Sequence, residues 1–115
     1  MLPKARSFRY AIQGIITAFR SERNLRFQLL VSGLIIAASW YFHLSTTEWI
    51  LVLMCCAMVI GFELMNTTME YFINQVEPQK QEWVAKVKDI AAGAVLVVSV
   101  FAAVIGFIIF LPKLF

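Results

Sequence analysis

Glu63, Asn66 and Glu70 lie in the stretch Glu63-Leu-Met-Asn66-Thr67-Thr68-Met-Glu70, spaced i, i+3 and i+7. On a helix that spacing puts two carboxylates and an amide on one face. The run before them, Trp49 to Phe62, contains no charged residue. Acidic side chains in or beside hydrocarbon are costly unless they pair, bind a cation or line a cavity. A second cluster follows a polar interval: Ala85-Lys86-Val-Lys88-Asp89, then the small residues Ala91, Ala92, Gly93 and Ala94. If the helix of the first cluster starts near Glu48 at one membrane surface, a rise of about 1.5 Å per residue puts Glu63 roughly 22 Å in. Glu70 then lies roughly 33 Å in, just past a hydrocarbon core about 30 Å thick. That depth is wrong for a midplane transport site. It suits a reaction between a membrane-embedded molecule and a water-soluble one.

The elements that must hold these residues follow from composition. The chain of 115 residues is 61% hydrophobic, with apolar blocks at Phe27 to Phe42, Trp49 to Phe62 and Ile90 to Leu111. A membrane span needs about 20 mostly apolar residues. The first and third blocks qualify directly, and the second qualifies if its helix continues through Glu63–Glu70. The chain therefore reads as an all-α membrane protein of a single domain, residues 1–115. Its three transmembrane helices are expected at about 25–43, 48–70 and 89–111. Nine of the ten basic residues sit before the first span or between the second and third. The positive-inside rule makes that side cytoplasmic, with the N-terminus inside and the C-terminus outside. The net charge of +3 belongs to this face, which suits anionic lipid or nucleotide phosphate rather than nucleic acid.

Ahead of the spans, Phe8, Ile12, Ile15, Ile16 and Phe19 recur at helical spacing among Arg6, Arg9, Gln13, Thr17 and Arg20. The pattern predicts an amphipathic helix over about 5–20 lying in the cytoplasmic interface, not a signal peptide. Ser21-Glu22-Arg23-Asn24 breaks it, with Ser21 expected to cap the next helix. Glu22 alone reads as a partner for a nearby Arg. Trp40, Tyr41, His43 and Trp49 mark the outer interface. Adjacent Cys55 and Cys56 point to different sides of a helix and read as free thiols. Pro78 should end the second long helix near Asn74 or Val76, and Lys88 and Asp89 should begin the third. Gly33/Ala37, Ala91–Ala94 and Ala102/Gly106 offer small faces for close helix packing.

The Glu63-x-x-Asn66-Thr67-x-x-Glu70 core, with Ala85-Lys86-Val-Lys88-Asp89 and the small residues after it, resembles the prokaryotic diacylglycerol kinase family of integral membrane lipid kinases. Phe8-Arg9-Tyr10-Ala11 with Gly14, and Glu22-Arg23-Asn24-Leu25-Arg26, extend the likeness over nearly the whole chain. Glu22-Arg23-Asn24 and the closing Phe110-Leu111-Pro112-Lys113 are more similar to the undecaprenol kinase branch. Two positions depart from the pattern: Asn74 stands where the family usually has Asp, and Gln28 where that branch often has His.

The resemblance implies transfer of the γ-phosphate of ATP, with Mg²⁺, to the hydroxyl of undecaprenol or diacylglycerol in a bacterial cytoplasmic membrane. Carried over by residue, Glu63 would be the general base and Asn66 would orient the γ-phosphate or Glu63. Glu22 and Glu70 would hold Mg²⁺, a hard cation suited to carboxylates. Lys88 and Asp89 would bind the nucleotide, with Tyr10 and Gly14 along it and the loop around Lys80 a weaker candidate. The family forms homotrimers with sites shared between subunits, and the same is expected here. Two rival readings exist. A small multidrug-type transporter should carry its acid near the midplane and usually four spans. A non-enzymatic regulatory membrane protein has no need of three carboxylates and an amide at one interface.

Overall fold

The computed structural model describes residues 4–115, which form four helices and short connections: α1 (Lys4–Ser21), α2 (Arg23–Tyr41), α3 (Thr46–Val76) and α4 (Glu82–Leu114). α3 packs along α4 most extensively and along α2 next, while α1 lies against α2 and α3. Among the described residues α2 and α4 do not approach each other closely. The assembly measures 51 × 39 × 22 Å. Its thin dimension is about two helix diameters, so every helix keeps one side bare.

What those bare sides carry is apolar. α3 and α4 are long and apolar enough to cross a membrane, and little of either is covered by the rest of the chain. Ile90, Phe101 and Ile108 on α4 are 74%, 67% and 68% exposed. Large aliphatic and aromatic side chains in such numbers are not left facing water by a stable fold. The first apolar block forms α2, whose opening turns carry Arg23, Asn24, Arg26 and Gln28. Phe8, Ile12, Ile15, Ile16 and Phe19 of α1 are exposed as well, and among the described side chains of that helix only Ala18 is buried.

The junctions show why the helices begin and end where they do. Ser21 does not cap α2: it is the last residue of α1, and its hydroxyl donates back to the Ala18 carbonyl at 3.4 Å. Glu22 takes the cap position with extended backbone and no side-chain capping bond. The α1 carbonyls left open at this end are met from across the junction. Arg26 Nη1 donates to the carbonyls of Phe19 at 2.7 Å and Arg20 at 3.1 Å. α2 then closes in a Schellman turn, with the Leu44 amide bonding Ser39 O and the His43 amide bonding Trp40 O. The turn needs a left-handed residue, and His43 supplies it at φ 52°.

A reciprocal capping box starts α3. The Ser45 hydroxyl accepts from the Glu48 amide, and the Glu48 carboxylate accepts from the Ser45 amide. Glu48 also meets Lys113 Nζ at 3.2 Å, tying the start of α3 to the end of α4. Beside this clasp Leu44, Val52 and Ile109 form the buried core, with Ile35, Cys56 and Ile105 packed around them. From there α3 continues unbroken through Glu63–Glu70 to Val76, as the second apolar block requires, and stops before Pro78. α4 begins at Glu82, earlier than Lys88: Glu82 and Lys86 pair at i, i+4, 3.7 Å apart, and Val84 is buried beneath them. The helix outruns its apolar block because an amphipathic first turn gains from packing without needing hydrocarbon.

Replacing Ser45 with Ala removes half of the capping box and should cost about 1 kcal/mol. A thermal melt in detergent micelles checks this, and a melting point equal to that of the parent protein would discount the cap.

Candidate active site

The expected site residues converge where the start of α2 meets the second half of α3. Glu63 is buried, at 3% exposed, and Thr67, one turn on, is buried beside it. The Thr67 hydroxyl is spent on the Glu63 backbone carbonyl at 3.0 Å, so it offers nothing to the Glu63 carboxylate. Among the described residues no hydrogen bond or ion pair satisfies that carboxylate. Asn66 is half-buried, and its Oδ1 is closed off from solvent without a partner. A buried oxygen of this kind costs about 1–3 kcal/mol unless something supplies a donor or a cation.

Glu22 joins these residues from the α1–α2 junction. Its carboxyl is held above the ordinary carboxylate value of 4.5, first by burial, then by the charges of Glu70 and Glu63, with Arg26 opposing. The Glu22 carboxyl at the junction thus feels the charges of two acids on α3. The three do not close into a ready metal cage: among the described residues no three acidic, His or Cys groups stand at ligating distance. The sequence read Glu22 as a partner for Arg, but the Arg26 guanidinium is engaged with α1 carbonyls, and no ion pair to Glu22 occurs among the described residues.

Two clefts flank this cluster. One, of about 510 Å³, runs between α1 and α3 and is lined by Ala11, Gly14, Thr17, Thr67, Thr68 and Tyr71 among others. A Cβ built on Gly14 would meet nothing within 4 Å, so the space beside that glycine is open. Tyr10, although on the same helix, is exposed and lies outside this lining. The second, of about 540 Å³, is an almost wholly apolar groove between α2, α3 and α4, which contains Val59, one turn from Glu63. Sequence reading did not find either cleft, because their walls come from helices far apart in the chain.

Lys88 reaches back to α3, where its Nζ donates to Asn74 Oδ1 at 2.7 Å. Asn74 is one turn beyond Glu70, so the ammonium belongs to the same end of α3 as the carboxylate cluster. Because Asn74 is neutral, the hydrogen bond fixes Lys88 without cancelling its charge. Asp89 is exposed with no contact that ties it to the cluster, and Lys80 is exposed in the connection. The structure thus brings together Glu22, Glu63, Asn66 and Glu70, adds Gly14 across a cleft and Lys88 at its end, and leaves Tyr10 and Asp89 at the edge.

Comparison with known proteins matches the chain to one family. A profile described as prokaryotic diacylglycerol kinase matches residues 9–110. An undecaprenol kinase of Bacillus subtilis is 33% identical over 109 residues, covering 95% of this chain and 89% of the relative. A diacylglycerol kinase of Synechocystis is 34% identical over 94% of this chain, which spans 62% of that protein's length. A diacylglycerol kinase of Haemophilus influenzae is 23% identical over 79% of this chain and 77% of its own.

The raised Glu22 carboxyl has a pH signature. The folded state holds this proton more tightly than the unfolded chain, so stability falls as pH rises through the window above 4.5. Glu22→Gln should flatten that fall. Melting points across mildly acidic to neutral pH check it, and parallel curves for the two proteins would contradict it.

Proposed function

We propose, from the premise that this chain belongs to the prokaryotic diacylglycerol kinase family, that it transfers the γ-phosphate of ATP to the hydroxyl of a membrane lipid alcohol, undecaprenol or diacylglycerol. It is a lipid kinase and a membrane protein. The observation that carries the reading is the buried Glu63 carboxylate, unpartnered among the described residues at the end of an apolar run, with the Glu22 carboxyl close enough to feel its charge. Transfer of a phosphoryl group asks for positioning, charge neutralisation and a group to receive the hydroxyl proton. Glu63 takes that proton. The lipid oxygen bonds to the γ-phosphorus as the bond to the β–γ bridging oxygen breaks, and ADP leaves with that oxygen.

The remaining residues have roles matched to their places. Mg²⁺, held by Glu22 and Glu70 when bound, supplies neutralisation of phosphate charge. The donors fit it: carboxylates are hard ligands, their mutual repulsion favours a cation between them, and the unpartnered Asn66 Oδ1 is a further oxygen nearby. Asn66 orients Glu63 or the γ-phosphate. Lys88, fixed through Asn74, meets phosphate, with Asp89 as a nucleotide contact. Gly14 leaves room for the nucleotide in the α1–α3 cleft, with Tyr10 at its rim.

In this reading α2, α3 and α4 span the cytoplasmic membrane of a bacterium as one domain, with the N-terminus inside. α1 lies amphipathic in the inner interface. Three copies assemble, and each chain holds its own Glu22 beside Glu63 and Glu70, which removes the ground for expecting Glu22 of one subunit to complete a neighbour's site. The thinness of the single chain and the bare small-residue face at Gly33 and Ala37 support that assembly.

Glu63→Gln should lower turnover by about 10²–10⁴ while leaving the KM for ATP near its starting value. Near-normal turnover in mixed micelles would sink the assignment of the base.

A further inference from the structure

Arg26 makes two side-chain hydrogen bonds for which neither the core nor the phosphoryl transfer gives a use. Its Nη1 reaches back across the corner at Glu22 and donates to the carbonyls of Phe19 at 2.7 Å and Arg20 at 3.1 Å, seven and six residues earlier. The last four carbonyls of a helix have no partner within it. At the end of α1 the Ala18 carbonyl takes the Glu22 amide at 2.8 Å, and one guanidinium nitrogen serves the next two. A basic side chain at a helix C-terminus is common enough. What stands at the corner makes this one bear on the site.

The corner is a single residue. α1 ends at Ser21 and α2 begins at Arg23, so the backbone angles of Glu22, φ −115° and ψ 109°, set the direction of α1. Glu22 is also the acid whose carboxyl feels Glu63 and Glu70. The direction of α1 and the place of that carboxylate are therefore one degree of freedom, not two. Little else holds it. Among the described side chains of α1 only Ala18 is buried, and beside Ala11, Gly14 and Thr17 a cleft of about 510 Å³ stands between α1 and α3. Lipid does not hold it either. Phe8, Ile12, Ile15 and Phe19 are exposed, and in a membrane interface they stay satisfied whichever way the helix points within that plane.

We infer that Arg26 is a positioning residue: by bonding the last turn of α1 to the first turn of α2 it locks the corner, and so holds the Glu22 carboxylate in place for Mg²⁺. This rests on the reading above in which Glu22 and Glu70 hold the metal. The choice of partners matters as well. Arg26 spends Nη1 on neutral carbonyls, and no ion pair joins it to Glu22 among the described residues. The carboxylate one turn away is thus left open to a cation. Charge and staple act on that cation with opposite sign. As a charge alone Arg26 repels it, and removing the charge would lower the Mg²⁺ requirement. As a staple, its removal lets the carboxylate drift and raises the requirement.

The test compares the full-length protein with Arg26→Leu and Arg26→Lys in lipid nanodiscs, where Lys restores a donor without the planar fork. Amide hydrogen exchange, followed without ATP or Mg²⁺, should run about tenfold faster over the last turns of α1 in Arg26→Leu, with α3 and α4 unchanged. At fixed ATP, the Mg²⁺ concentration for half-maximal lipid phosphorylation should rise about tenfold, and the KM for the lipid alcohol should not move. Arg26→Lys should fall between the two on both measures. Exchange in α1 equal to the parent's overturns the inference, whatever happens to turnover. So does a Mg²⁺ requirement that stays or falls while α1 loosens, which would leave Arg26 a helix cap and a charge. If Arg26→Leu exchanges faster in all four helices it has lost its fold, and the parent and Arg26→Lys decide by the same two measures. A parent protein that phosphorylates no lipid alcohol at any Mg²⁺ concentration overturns the kinase reading and this inference with it. An active parent whose variants keep its Mg²⁺ requirement overturns this inference alone.

Discussion

A carboxylate that is 3% exposed, unpaired, and set at the end of fourteen residues without a charge is the constraint from which the other features follow. Burying a carboxylate is tolerable only where something repays its lost hydration. Here the chain itself does not repay it. Thr67 is turned onto the backbone, Arg26 is turned onto the end of α1, and Glu22, whose carboxyl feels Glu63 and Glu70, carries the same sign. On the proposed reading, a cluster that no described residue completes is arranged for what comes from outside: a cation, a phosphate that brings one, and a hydroxyl with a proton to give up.

The helices serve that cluster by their lengths. α3 must run past its apolar block so that Glu63 and Glu70 ride on one continuous face, and its capping box and the Lys113–Glu48 clasp fix its far end. α4 starts early enough for Lys88 to reach Asn74, a turn beyond Glu70. The tight junction at Glu22 brings α1 back across the same end of α3, which opens a cleft beside Gly14 on one side. The groove left because α2 and α4 do not meet opens on the other. On the proposed reading a water-soluble donor and a lipid acceptor thus have separate approaches to one carboxylate.

Much of this was legible in the residues. The i, i+3, i+7 spacing of Glu63, Asn66 and Glu70 and the apolar periodicity before it give the face and its helix, because both depend on local spacing alone. Junctions were less legible. Ser21 reads as a cap by type, yet its hydroxyl is taken by Ala18, and the carbonyls at the end of α1 are met by Arg26, a contact that no local rule predicts. The start of α4 was set too late because hydropathy marks where a helix enters hydrocarbon, not where its hydrogen bonding begins. The clefts and the Lys88–Asn74 bond depend on side chains brought together from separate helices, and spacing along the chain carries no record of that.

The central claim is that this cluster moves a phosphoryl group from a nucleotide to a lipid hydroxyl. It is tested most directly by supplying the purified protein in lipid micelles with ATP labelled in the γ-phosphate, Mg²⁺ and a lipid alcohol, and following the label. The account predicts that label enters the organic-extractable lipid as a phosphate monoester, only when all three are present. Label recovered solely as inorganic phosphate, or ATP consumption indifferent to the lipid alcohol, would contradict it.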